Sequence, residues 1–133
     1  MKKISTIGLL MASMFILVAA GCQKELAVND SVLALWNATS WWEGTIGATC
    51  DGGFSVKWAD GSTPTCIVKA NVLAKRVPEA GSVKVGDVLL AKWTGSAFYD
   101  AKVTKIDGAA YTVEYTSDKS TKDALAVTDL RLK

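Results

Sequence analysis

The side chains that could carry chemistry here are few: three cysteines, Cys22, Cys50 and Cys66, and a set of tryptophans and tyrosines, with no histidine in 133 residues. Without an imidazole there is no hydrolase triad and no Cys–His dyad. Three cysteines are too few for a closed thiolate zinc site, so no metal is expected. No nucleophile–base pair or paired-acid motif stands out. The sequence therefore reads as non-enzymatic, with no cofactor. What remains is the aromatic rings. Their faces carry negative potential and attract cations, by about 0.5–2 kcal/mol per contact depending on desolvation.

Those rings recur. A shift of 57 residues sets Asp30 on Asp87 and lays residues 28–75 over 85–132 without a gap. Every aromatic beyond residue 22 then meets another: Trp36/Trp93, Trp41/Phe98, Trp42/Tyr99, Phe54/Tyr111 and Trp58/Tyr115. Val28/Val85, Ala34/Ala91, Val56/Val113 and Leu73/Leu130 agree as well. The sequence thus predicts two copies of one small unit, 28–75 and 85–133, joined by 76–84, which contains Pro78 and Gly81.

Short strands must position the rings in each unit. In the second, Val88–Trp93 is rich in β-formers. Tyr99, Ala101 and Val103 alternate with Asp100, Lys102 and Thr104, and Tyr111, Val113 and Tyr115 alternate with Thr112, Glu114 and Thr116. Asp107-Gly108 signals a hairpin, Ser117–Thr121 a polar turn, and Ala124–Val127 the next strand. The first unit repeats this, with turns at Asp51-Gly52 and Asp60-Gly61. The predicted fold class is all-β: two tandem five-stranded barrels, which limit exposed edges by closing. So small a unit has a marginal core, a reason for the copies to pack together. Trp41 and Phe98 point outward on their strands, and are expected to bury against the other copy.

The N-terminus reads as an export signal. Lys2 and Lys3 precede an uncharged apolar run, Ile7 to Ala20, that is shorter than the roughly 20 residues of a membrane span. Ala19-Ala20-Gly21-Cys22 then resembles the lipobox of bacterial lipoproteins, with Ala19 where that family most often has Leu. Ordinary cleavage after Ala20 is the rival reading. The resemblance implies a signal peptide over 1–21, a lipidated Cys22 opening a tether over 22–27, and membrane attachment. Gln23, where an Asp would hold the protein at the inner membrane, implies the outer membrane. It also leaves Cys50 and Cys66 as a pair, in an oxidising compartment that favours a disulfide. Both border the third strand; full separation by that strand would put their Cα atoms beyond the roughly 7 Å a disulfide spans. Removing Lys2 and Lys3 from the 15 basic residues leaves 13 against 13 acids, and so balanced a chain is not expected to bind nucleic acid.

The second unit resembles a Tudor domain. Val85-Gly86-Asp87-Val88-Leu89-Leu90-Ala91-Lys92-Trp93 looks like that family's first strand, and Phe98-Tyr99-Asp100-Ala101-Lys102-Val103 like its aromatic-x-Ala-x-Val strand. Tyr111–Tyr115 and Asp129-Leu130-Arg131 match the third strand and the closing turn. The resemblance implies SH3-like barrels that hold methylated lysine or arginine in an aromatic cage. Carried over by position, the cage residues are Trp93, Tyr99 and Tyr115 in the second copy and Trp36, Trp42 and Trp58 in the first. At a fourth, normally aromatic place stand Asp118 and Gly61. Two readings stay open. The rings line a mouth for a cationic or peptide ligand, making this a lipid-anchored envelope adaptor whose partner is an envelope protein or a small cation. Alternatively they fill the barrels of a structural envelope lipoprotein with no specific ligand.

Overall fold

The computed structural model describes residues 25–133. The stretch read as an export signal, Cys22 and the start of the expected tether lie outside the described residues. Ten antiparallel strands form one continuous sheet. The first copy holds β1 (Ser31–Leu35), β2 (Trp41–Cys50), β3 (Gly53–Trp58), β4 (Thr65–Val68) and β5 (Val72–Ala74). The second holds β6 (Val88–Lys92), β7 (Ala97–Asp107), β8 (Ala110–Tyr115), β9 (Thr121–Leu125) and β10 (Leu130–Arg131). The strand order within the copies is the same, β5-β1-β2-β3-β4 and β10-β6-β7-β8-β9. Among the described residues the only helical pieces are three single 3-10 turns. One of them bridges β4 to β5, which share no ladder, so each barrel is closed by side chains rather than by backbone pairing.

Alternation dictates the cores. Phe54, Val56 and Trp58 on β3 point in with Val32, Ala34, Ile46 and Val72. Tyr111, Val113 and Tyr115 on β8 point in with Leu89, Ala91, Ala101, Val103 and Leu130. The repeat extends to single hydrogen bonds. Asn29 N donates to Ile46 O as Gly86 N does to Val103 O, and Trp36 N donates to Ser40 O as Trp93 N does to Ala97 O. Each long strand carries a bulge at the same place, between Ile46 and Ala48 in β2 and between Val103 and Lys105 in β7. A bulge bends a strand, which is how β2 and β7 wrap their cores.

Local boundaries differ from the expected ones in two places. Asp107 is the last paired residue of β7, and Gly108-Ala109 make the turn. β9 starts at Thr121 rather than Ala124, because Glu114 and Val113 pair with Thr121 and Lys122; Ala124, at φ 56°, sits in the irregular stretch between Lys122 and Leu125. The joining segment is also more than a connector. Its Val83 is buried in the second core, and Tyr111 Oη donates to Ala80 O at 2.8 Å.

The copies join where β2 meets β7, with Trp41 opposite Phe98 and Trp42 opposite Ala97. Trp41 and Phe98 bury as expected, in a cluster with Leu33 and Leu90 flanked by Leu35 and Leu73. Beside it, the buried Arg131 reaches across from β10 to Glu43 on β2, its Nη2 2.6 Å from Oε1. The other guanidinium nitrogens are also engaged: Nη1 donates to the carbonyls of Thr128 and Leu130, and Nε to Glu43. Burial pushes the Glu43 carboxyl upward, but Arg131 and then Lys75 outweigh it and hold the group below its ordinary value.

Cys50 and Cys66 are bonded, with Cα atoms 6.0 Å apart. They flank β3, Cys50 opposite Gly53 and Cys66 opposite Ser55. The sheet closes over β3 tightly enough because Gly53 has no side chain: a Cβ there would lie 1.9 Å from Ile67 O. β3 thus lies between the two cysteines, yet their Cα atoms stay within the roughly 7 Å a disulfide spans.

Candidate functional site

Each trio of rings converges at one end of its barrel. Trp36 follows β1, Trp42 lies near the start of β2 and Trp58 ends β3. Trp36 and Trp58 meet edge to face with centroids 4.9 Å apart, and Trp36 and Trp42 lie at 6.3 Å. In the second copy Trp93 and Tyr115 meet edge to face at 5.2 Å, and Tyr99 and Tyr115 at 6.4 Å. Burial is graded the same way in both. Trp58 and Tyr115 are 5% and 2% exposed, Trp42 and Tyr99 are half-buried, and Trp36 and Trp93 are 49% and 41% exposed. One ring of each trio is thus a barrel-core residue as well as a floor, and the other two are walls.

The polar edges of three of these rings are engaged by the protein. Trp58 Nε1 donates to Thr65 Oγ1, Trp42 Nε1 to Ser40 Oγ, and Tyr115 Oη to Lys92 O. These bonds fix the orientation of the three rings. The first cavity, about 150 Å³, is lined by Trp36, Trp42, Trp58 and Asp60. The second, about 250 Å³, is lined by Trp93, Tyr99, Tyr115, Ser117, Asp118 and Ser120. A further groove of about 400 Å³ includes Thr39 of the first copy and shares Tyr99 and Ser117 with the second cavity.

Each cavity has an acid at its rim. Asp118 stands where the sequence placed it. Asp60 does the same in the first copy, and sequence reasoning missed it. The two loops close differently: Gly61 N donates to Trp58 O, whereas Lys119 N donates to Tyr115 O, one residue further on. The residue after each acid has positive φ, 81° at Gly61 and 61° at Lys119. Ser62 N then donates to Asp60 Oδ1 at 2.9 Å, and Ser120 N to Asp118 Oδ1 at 3.0 Å. The serine hydroxyl and amide hold both carboxyls below their ordinary range, so both rims are anionic at neutral pH. The 57-residue shift hides this, because it sets Gly61 on Asp118. The motif Asp-x-Ser, present as Asp60-Gly61-Ser62 and Asp118-Lys119-Ser120, was the available signal.

The fold is similar to that of solved structures with two tandem domains. The AGD34 portion of Arabidopsis thaliana AGDP1 matches with a TM-score of 0.61, covering 80% of this chain and 82% of that one at 12% identity. Tandem Agenet domains 3–4 of ADCP1 match with a TM-score of 0.57, covering 80% and 79% at 14% identity. The fold is a tandem Agenet, or Tudor-like, pair of barrels. At such identities the likeness speaks for the fold alone. No family model matches the sequence, and no curated protein does.

Within this Tudor-like pair, all six aromatic positions carried over from the resemblance fall in the two cavities. Tyr115 is pushed up to about 12, first by burial and then by Asp118 and Asp129. It therefore stays a neutral phenol at any physiological pH, and its ring keeps the electron-rich face a cation needs. Among the described residues no three metal-ligating side chains cluster, and no helix is long and apolar enough to cross a membrane.

Proposed function

We propose that this chain is a non-enzymatic binding module of a bacterial envelope, tethered through a lipidated Cys22, whose two cages capture cationic groups on a protein or small-molecule partner. One observation carries the binding reading: both copies bring three rings and an ionised carboxylate to one partly open cavity, even though their loops reach the acid by different turns. Core filling alone gives no reason for a wall ring left nearly half exposed. The groove that shares Tyr99 and Ser117 with the second cage offers an extended peptide a path beside it. Titration with tetramethylammonium while tryptophan fluorescence is recorded tests the cages. Saturable quenching at millimolar ligand is expected, weakened about two- to fivefold by Asp60→Asn or Asp118→Asn in the affected cage. No fluorescence change at millimolar ligand would sink the cage reading. It would leave the structural role, which the burial of Trp58 and Tyr115 favours.

The anchor rests on the apolar run ending in Gly21-Cys22. Cys22→Ser is expected to release the protein from membranes in fractionated cells, with the barrels still folded. A Cys22→Ser protein that is processed normally and stays membrane-bound would overturn it.

A further inference from the structure

A lysine present in only one copy lies over a ring of the second cage. Lys122, on β9 opposite Val113, places its Nζ 5.6 Å from the centre of the Trp93 ring and donates to Trp93 O. It makes no ion pair among the described residues and does not line the cavity. A wall of the second cage thus already serves a cation of the protein itself. In the first copy the same place is Thr65, whose hydroxyl accepts from Trp58 Nε1. Among the described residues no lysine or arginine lies over Trp36, Trp42 or Trp58.

Building on the cage reading above, we infer that Lys122 is a specificity-determining residue: it makes the second cage the weaker of the two for a permanent cation such as a quaternary ammonium, and leaves the first cage as the principal site. A ring attracts cations through one quadrupole, and a second positive charge near it is repelled by the first. With the two charges on the order of 10 Å apart at a protein surface, that repulsion weakens binding by about two- to tenfold. Ring chemistry acts in the same direction, since indole is the best of the cation-binding rings and the first cage is all tryptophan. The rims complement this difference. Ser117, Asp118 and Ser120 give the second cage acceptors that a quaternary ammonium cannot use and an N–H-bearing cation can.

The test uses the folded chain with one cage disabled at a time, by Trp36→Ala or by Trp93→Ala. Tetramethylammonium is expected to bind the Trp93→Ala protein about three- to tenfold more tightly than the Trp36→Ala protein. Adding Lys122→Met to Trp36→Ala should recover at least a threefold gain, and Lys122→Arg, which keeps the charge, should not. Lys122→Gln serves as a second neutral variant, with thermal melting to confirm folding. The ε-methylene protons of Lys122 should show an upfield ring-current shift by NMR that Trp93→Ala abolishes. If both single-cage proteins bind equally and neutralising Lys122 changes nothing, the inference falls while the cage reading stands. An absent ring-current shift rejects the contact itself. If no cage binds the probe, the cage reading fails and this inference with it.

Discussion

Truncating Arg131 to alanine is expected to lower the unfolding free energy by about 3 kcal/mol, the lower end of the range for breaking a buried ion pair. Arg131 is 5% exposed, and its guanidinium carbon stacks 4.7 Å from the centre of the Phe98 ring while two of its nitrogens grip Glu43. Removing it strands Glu43 beside an opened apolar junction. The loss stays near the lower end because Glu43 remains partly exposed and keeps Lys75 at 3.4 Å. Chemical denaturation followed by circular dichroism measures it; a loss under about 1 kcal/mol would mean that the pair is solvated. Acid should produce a related effect. The folded Glu43 carboxyl titrates below its ordinary 4.5, so its contribution is complete above about pH 4.5 and fades as pH falls through the lowered value. Glu43→Gln should lower stability throughout the range above about pH 4.5, where that contribution is complete, and flatten the acid limb.

Opening the Cys50–Cys66 bond, by reductant or by the double serine variant, is expected to cost a further about 3 kcal/mol from the chain entropy of a loop of this size. The effect belongs to the first barrel, since Asp107 and Asp123 hold the equivalent places in the second. It should reach the first cage too. Cys66 adjoins Thr65, whose hydroxyl holds the Trp58 ring, so the reduced protein should show altered tryptophan emission before it unfolds. A stability loss under about 1 kcal/mol, with unchanged emission, would show that the β3–β4 ladder alone sets that edge.

Much of this was legible in the sequence because strand alternation and paired rings are periodic signals. The 57-residue shift gave the two copies and paired their rings, strand parity turned Trp41 and Phe98 outward, and the Tudor resemblance marked the six cavity positions. What breaks the period was not legible. Arg131 has Ala74 at its repeat position, and its partner lies in the other copy. Asp60 was hidden by a loop that closes one residue earlier than its counterpart. Lys122 falls between the expected turn, 117–121, and the expected strand, 124–127, and only the packing of β9 brings it over Trp93. The fit of the disulfide depended on Gly53, whose role is to be absent where Ile67 O passes.

The junction also bears on how the chain can be divided. Trp41 faces Phe98, and Leu33 clusters with Leu90: in each case the same position of the two copies. A patch that meets its own equivalent is isologous, the geometry by which identical subunits dimerise. Either half alone would offer an open strand edge beside an apolar patch that matches itself, so its solubility and association state would depend on concentration. The segment 76–84 removes that dependence by making the encounter intramolecular, at an effective concentration in the millimolar range for a connection this short. Each barrel separated from its complement is therefore expected to self-associate through this face as its concentration rises.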